Sequence, residues 1–137
     1  MPKPPMPQVI VDLLVRANPA VIGTVRPDGA PVTVATWYLW DEGRILVNMD
    51  AQRRRLSYLR ANPKVSLTVL DPDDRFVHIS MQGLIELTDD SDLSGIDRLA
   101  KHYIGEPYPD RERPRVNGWI EIEHWHEWGL LGERPRR

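Results

Sequence analysis

Short runs of apolar and β-branched residues, separated by clusters of turn-forming residues, recur along the chain and predict mainly strands. The turn segments include RPDGAP, DEG and DPDD, where proline, glycine and aspartate favour tight reversals of the backbone. Strands joined by such short turns pair with their chain neighbours in an antiparallel sheet. Gly83, inside one of these runs, indicates a bulge or a close approach of another backbone. The predicted strands span residues 20–25, 32–40, 44–49, 64–70, 76–87 and 116–128.

Three segments between the strands predict helices. The apolar residues of VIVDLL (9–14) fall at helical spacing, and the following ANP ends this helix because the residue before a proline avoids helical geometry. A second helix is predicted to begin near Ala51, with Asp50 as its N-cap, and to end at Asn62 before another proline. A third is predicted over about residues 90–103.

Strands joined mostly by hairpins, with helices inserted between them, predict a mainly β (α+β) fold, an antiparallel barrel of about six strands with peripheral helices. At 137 residues the chain fits one domain with a single core, spanning residues 1–137. The proline-rich lead 1–7 and the polar tail 129–137 are predicted to lie outside the regular elements.

Composition excludes several classes of function. Eighteen basic and twenty acidic residues give a net charge of −2, so there is no global electrostatic case for nucleic acid or an anionic membrane. The absence of cysteine excludes disulfides, thiolate catalysis and zinc–thiolate sites, and it fits a cytoplasmic protein. No apolar run is long enough to span a membrane, and Asp12 and Arg16 interrupt the only segment that resembles a signal peptide.

Three consecutive arginines, Arg53, Arg54 and Arg55, fall where the second helix begins. A helix start already carries a partial positive charge and favours acidic residues, so this placement is unexpected. One interpretation is a solvated surface balanced by Asp50. The other is an anion site, in which backbone N–H groups and guanidinium groups converge on a phosphate. Arg60, seven residues after Arg53, shares its helix face.

The remaining candidates carry weaker signals. His124 and His126 share a strand face and could begin a metal site, but no third ligand is apparent, and no metal is predicted. Neither a phosphate-binding glycine loop nor a serine-hydrolase elbow is present. Five tryptophans against one phenylalanine indicate core or interface packing, or a wall that stacks on a flat, conjugated ligand.

The order of the motifs carries a resemblance to a known family. GTVRPDGAPVTVATWYLW, RRRLSYLRANP, YIGEPYP and the closing WIEIEHWHEWG follow one another over nearly the whole chain. Together they resemble the pyridoxamine 5'-phosphate oxidase-like split β-barrel superfamily, and more narrowly its branch that uses the deazaflavin coenzyme F420. The resemblance implies a homodimeric oxidoreductase with the cofactor at the subunit interface. The reaction it implies is hydride transfer between reduced deazaflavin and a conjugated small-molecule acceptor.

The resemblance also implies which residues contact the cofactor. The basic pair that binds the phosphate in the family corresponds to Arg53 and Arg55. Arg54 would be free for the anionic tail of F420 or for solvent, and Arg60 would lie near that tail. The ring system would lie along one strand and the end of the next, with one aromatic residue beside it. These positions correspond to Val32, Val34, Ala35, Thr36 and Trp37, to Asn48 and Met49, and to Phe76.

Two alternatives remain open at the level of the sequence. The same fold could bind FMN and act as an oxidase or reductase, or it could be a non-catalytic module that carries a flavin, a deazaflavin or a tetrapyrrole. No proton donor is evident, although Tyr38, His78, Tyr103 or water could serve.

Overall fold

One antiparallel sheet of seven strands organises the computed structural model, which describes residues 2–132. The strands are β1 Ala20–Val25, β2 Pro31–Thr36, β3 Leu39–Asp41, β4 Arg44–Asp50, β5 Lys64–Leu70, β6 His78–Asp89 and β7 Arg115–Trp128. The helices are α1 Gln8–Leu14, α2 Arg54–Ala61 and α3 Ser94–Ile104. The strand order is β2-β1-β5-β6-β7-β4-β3.

The two ends of this sheet meet. β2 and β3 lie at opposite edges of the strand order, yet only Trp37 and Tyr38 separate them along the chain. The sheet must therefore curl until its edges approach each other, although β2 and β3 form no ladder. This is a split barrel, as predicted, and its fold is mainly β with peripheral helices.

The number of strands differs from the prediction because the segment 32–40 is broken into β2 and β3. The break is at Tyr38, whose ring is completely buried. Its hydroxyl donates to the Leu14 carbonyl at 2.9 Å and accepts a hydrogen bond from the Asn18 amide, also at 2.9 Å. The tertiary contact with the end of α1 thus interrupts a run whose composition favours one continuous strand.

The core lies inside the curled sheet and is closed by helices. Alternate residues of β1, β5 and β6 point inward, and β4 is buried along most of its length. The helix α1 contributes Ile10, Leu13 and Leu14, and α2 contributes Leu56 and Leu59. Burying each such side chain contributes about 1.5–3 kcal/mol. Residues 2–7 form no helix or strand, and the carbonyls of Pro2 and Lys3 accept hydrogen bonds from Trp125.

Gly83 lies at a β-bulge between β6 and β7, which confirms the sequence prediction. Gln82 pairs with His124 and Gly83 pairs with Ile122, so Glu123 has no partner in the ladder. A Cβ atom at position 83 would overlap the Glu121 carbonyl group.

The helices α2 and α3 both begin later than predicted. Asp50 ends β4 and is not an N-cap; Arg53 occupies the N-cap position of α2. The Asp50 carboxylate instead accepts hydrogen bonds from the Gln52 backbone N–H at 2.9 Å and from Arg113 at 3.2 Å. The chain therefore needs one more turn before α2 can begin.

The third helix begins at Ser94 because Leu93 adopts a left-handed conformation, with φ 61°. Asp90 still stabilises the helix start from a distance. Its buried carboxylate accepts hydrogen bonds from the backbone N–H groups of Gly95 and Ile96, both at 2.9 Å. At the other end, Leu130 of the predicted tail packs against the core, whereas residues 133–137 lie outside the described part.

No helix within residues 2–132 is both long and apolar enough to cross a membrane.

Candidate functional site

Two adjoining cavities lie where β2, the end of β4 and the start of α2 meet. The large cavity has a volume of about 660 Å³ and extends towards α3 and Tyr108. The small cavity has a volume of about 450 Å³ and extends along the start of α2. Four residues border both cavities: Ala35, Asn48, Arg55 and Arg115. The predicted arginine cluster therefore borders a concave surface rather than open solvent alone.

The arginines at the start of α2 lack an internal counterion. Arg53, Arg54 and Arg55 line the small cavity, and none of them forms an ion pair with a carboxylate in residues 2–132. In Arg55 the Nε and Nη1 atoms are buried and have no hydrogen-bond partner in the described structure. Burial, followed by the charges of Arg53 and Arg115, lowers the pKa of Arg55. An oxyanion would satisfy these donors and offset the repulsion.

Arg115, which sequence analysis did not identify, joins this cluster from the first position of β7. Its Nε donates to Asn48 Oδ1 at 2.7 Å, and its guanidinium carbon lies 4.7 Å from the centre of the Tyr108 ring. In the sequence Arg115 sits within RERPR, a charged loop with no local signal of a site. Pairing of β4 with β7 brings it beside Asn48.

A buried network of amides and carboxylate fixes this pairing. The Asn48 side-chain N–H₂ group donates to Asp90 at 3.0 Å and to Asn117 at 2.8 Å, while its oxygen accepts from Arg115. Asn48 was predicted to contact the cofactor, and it borders both cavities. Because its polar groups are already used, it positions Arg115 through its side chain.

An aromatic wall formed by Trp37, Tyr103 and Tyr108 lines the large cavity. The rings of Trp37 and Tyr103 stack with centroids 5.3 Å apart, and Tyr108 meets Trp37 edge-on at 6.2 Å. Of the five tryptophans, all within the described residues, Trp37 alone lines this cavity. The others pack in the core or against surface side chains, as with Trp125 and Trp128.

The structure brings most of the predicted ring-binding residues to the two cavities. Val32 and Val34 border the small cavity, Thr36 and Trp37 border the large one, and Ala35 borders both. Met49 borders the small cavity, but its side chain is 1% exposed and belongs to the core. Two predicted residues line neither cavity: Arg60, in the last turn of α2, and Phe76, in the β5–β6 connection.

The three side chains considered as proton donors have different surroundings. Tyr38 is buried in the core, and burial raises the pKa of its hydroxyl. His78 lines neither cavity, and its ring stacks on Trp128. Tyr103 lines the large cavity, but burial raises its pKa to about 12, and its hydroxyl donates to the Asn18 carbonyl at 2.6 Å.

The two histidines considered as metal ligands lie on β7, in a separate region from these cavities. Within residues 2–132 there is no group of three or more histidine, cysteine, aspartate or glutamate side chains arranged to hold a metal ion.

Comparisons with known proteins agree with this geometry. The sequence profile of the pyridoxamine 5'-phosphate oxidase family matches residues 6–129. Among solved structures, an F420 reductase is 29% identical, with a TM-score of 0.77 over 84% of this chain and 94% of its own. A search of curated proteins found no match.

Other solved structures share the fold at lower identity. A conserved hypothetical protein from Mycobacterium tuberculosis is 22% identical, with a TM-score of 0.75 over 94% of this chain and 88% of its own. An FAD-binding protein from Mesorhizobium loti is 19% identical, with a TM-score of 0.68 over 88% of this chain and 92% of its own. The profile match over nearly the whole chain, with the split barrel, confirms the resemblance: the chain belongs to the pyridoxamine 5'-phosphate oxidase family.

Proposed function

We propose that this protein is an F420-dependent oxidoreductase that transfers a hydride between reduced deazaflavin and a conjugated organic acceptor. The observation that carries the proposal is the pair of buried Arg55 donors without a hydrogen-bond partner in the described structure. They lie at a helix start with no acidic residue in its first turn. A phosphate is the ligand that this arrangement fits best, because it accepts several charge-assisted hydrogen bonds at once.

The residues of the small cavity fit the anionic part of such a cofactor. Arg53 and Arg55 would bind the phosphate, and Arg54 would face the carboxylates of the tail. The segment from Val32 to Trp37 would contact the ring system, since it runs from the small cavity to the large one. When bound, the deazaflavin supplies the hydride chemistry, while the protein binds and orients it and limits the access of water. Arg60 lies at the far end of α2, so a contact with it requires a long tail.

An FMN-dependent oxidase or reductase is the second candidate. A single phosphate group satisfies Arg53 and Arg55 equally well, and one structural neighbour is an FAD-binding protein. F420 is favoured by the solved F420 reductase at 29% identity and by Arg54, which a ligand with one phosphate leaves unused. A non-catalytic carrier of a flavin, deazaflavin or tetrapyrrole is the third candidate.

We also propose a homodimer with the cofactor at the subunit interface, in the cytoplasm. β2 is an edge strand exposed at most positions, and Val34 on the rim of the small cavity is 42% exposed. A second copy that covers this strand would bury Val34 and complete the wall of the cavity. Sedimentation velocity gives the test: a monomer at micromolar concentration in the presence of F420 contradicts the dimer.

Water is the proposed proton source for the reduced acceptor. Tyr103 borders the large cavity, but its hydroxyl hydrogen is engaged with Asn18 and its raised pKa makes it a poor acid. Tyr103→Phe is therefore expected to keep the acceptor reduction rate within about threefold of wild type. A loss of a hundredfold or more with unchanged cofactor binding would instead identify Tyr103 as the donor.

The cofactor proposal is tested by titrating the protein with F420 and with FMN side by side. We expect tighter binding of F420, and we expect Arg53→Ala and Arg55→Ala each to weaken it by roughly 1.5–3 kcal/mol. Arg26→Ala is the matched control, because Arg26 pairs with Asp28 in the β1–β2 turn. Tighter binding of FMN would overturn the choice of cofactor. Reduced F420 that stays unoxidised with a broad panel of quinones, enones and linear tetrapyrroles would favour the carrier.

A further inference from the structure

The large cavity has a charge balance that the cofactor phosphate alone does not explain. Its lining within the described chain includes Arg55 and Arg115 but no aspartate or glutamate. Arg53 and Arg54 border only the small cavity. Since Arg55 is assigned to the cofactor phosphate, Arg115 is the remaining positive group, and it lies where the two cavities adjoin, next to Tyr108 of the aromatic wall.

Arg115 is held firmly in this position. Asn48 accepts a hydrogen bond from its Nε, and the guanidinium group lies over the ring of Tyr108. Its terminal nitrogens make no hydrogen bond to residues 2–132 and form no ion pair there. Arg113, two residues earlier, is paired with Asp50 and Asp110. Asn48 and Tyr108 thus orient the side chain of Arg115, while its two terminal nitrogens stay available to a ligand.

We propose that the large cavity is the acceptor pocket and selects planar, conjugated carboxylates. The carboxylate accepts hydrogen bonds from Arg115, and the conjugated part packs against the aromatic wall, in which Tyr108 stands edge-on to Trp37. A guanidinium group binds a carboxylate with two parallel hydrogen bonds, and the aromatic side chains supply an apolar surface. This inference rests on the proposed function, because the acceptor is the molecule that receives the hydride.

The pairing also gives Arg115 a chemical role. A carboxylate next to a carbon–carbon double bond is a poor hydride acceptor in water, because negative charge accumulates on it. Reduced deazaflavin, when bound, would supply the hydride to the β-carbon of the double bond, and water would supply the proton to the α-carbon, a two-electron reduction of the acceptor balanced by a two-electron oxidation of the cofactor. Arg115 would stabilise the charge that develops on the carboxylate oxygens in this step.

The oxyanion on Arg115 could instead belong to the cofactor, because Arg115 also borders the small cavity. Binding to the protein saturated with F420 separates the two sources. The probes are 2-naphthoate and its neutral isostere 2-naphthamide, titrated by calorimetry. We expect wild type to prefer the carboxylate by roughly ten- to hundredfold, and Arg115→Gln to remove this preference by weakening naphthoate alone.

Three matched measurements complete the test. Arg115→Lys keeps the positive charge but cannot form two parallel hydrogen bonds, so it should retain part of the preference for naphthoate over naphthamide. Arg113→Gln, in a paired arginine, should leave it unchanged. The affinity of Arg115→Gln for F420 should stay within about threefold of wild type.

Three results would overturn the proposal: no preference in wild type, competition between naphthoate and F420, or an Arg115→Gln variant that loses F420 affinity instead. If wild type does not bind F420 but the apo protein still shows a naphthoate preference that Arg115→Gln abolishes, the proposed function falls and the carboxylate pocket stands.

Discussion

The N-termini of α2 and α3 carry the same partial positive charge but have opposite surroundings. In α3 the positive end of the helix is neutralised from within, by the buried Asp90 carboxylate and by Asp97 in the first turn. In α2 the first turn has no acidic residue, and the N-cap is Arg53, which makes no side-chain cap. The donors of Arg55 stay without a partner in the described structure.

The difference separates a helix start whose donors are satisfied within the fold from one that leaves buried donors without a partner in the described structure. Asp90 accepts three hydrogen bonds from donors of the fold itself, so its carboxylate is satisfied without a ligand. Arg55 has the reverse balance, because a partly buried cation without a counterion destabilises the empty protein and becomes favourable when an anion is bound. The proposed function accounts for this contrast by placing the cofactor phosphate at the start of α2.

Asp90→Ala is the change expected to have the largest effect. Removing this carboxylate leaves the N–H groups of Gly95 and Ile96 and one Asn48 N–H without their acceptor, in a site that is 2% exposed at Asp90. The free energy of unfolding should fall by roughly 3–5 kcal/mol. Urea denaturation measures it, with Asp92→Ala as control, since Asp92 is exposed and accepts its hydrogen bonds from the neighbouring Ser94. If Asp90→Ala lowers the free energy of unfolding no more than Asp92→Ala does, Asp90 does not stabilise the start of α3 as described.

Arg55→Met tests the other helix start, that of α2. The empty protein should be as stable as wild type or more stable, by about 1 kcal/mol, because a partly buried unpaired charge is replaced by an apolar side chain of similar length. Affinity for F420 should fall roughly ten- to hundredfold. Thermal unfolding in phosphate-free buffer and an F420 titration give the two values. Lower stability in the empty variant would show that Arg55 has a structural partner after all.

Asp97→Asn is expected to have the smallest effect and a characteristic pH dependence. Hydrogen bonding to Arg111 lowers the pKa of Asp97, with O–N distances of 2.6 and 3.1 Å. A carboxyl group with a lowered pKa in the folded state stabilises the protein above its unfolded pKa, and this contribution disappears as the pH falls through the folded value. The difference in urea midpoint between wild type and variant should therefore be present at pH 6 and close towards pH 3. A difference in urea midpoint that does not change with pH would mean that packing, rather than the charge of Asp97, causes it.

Hydrophobic pattern predicted the strands well, because burial on one face fixes the alternation. The predicted ranges 20–25 and 64–70 coincide with β1 and β5. The sequence pattern did not predict the break at Tyr38, because its cause is a contact with the end of α1. The Tyr38 hydroxyl bonds to the carbonyl of Leu14, 24 residues earlier in the chain. The start of α2 was misplaced because Asp50 suits an N-cap locally, whereas its partner in the folded chain is Arg113.

The site was predicted in part, for the same physical reason. The arginines at 53–55 are adjacent in sequence and contradict helix electrostatics, so a local pattern reveals them. Arg115 and Tyr108 reach the same place only through the pairing of β4 with β7 and the packing of the loop against α3. Cofactor contacts of Arg60, expected from its helix face and the resemblance, and of Phe76, expected from the resemblance, stay predictions, since neither residue lines the two cavities.

Gly95 has a consequence for the evolution of this site. Any side chain there would occupy the space of the Asn117 amide, which holds Asn48 and through it Arg115. A single methyl group at position 95 would therefore displace the Asn117 amide. That displacement would be passed through the Asn48 amide to the Arg115 guanidinium group. Relatives with a bulkier residue at this position should also have exchanged the amide at 117, and we expect their ligand preference to have diverged.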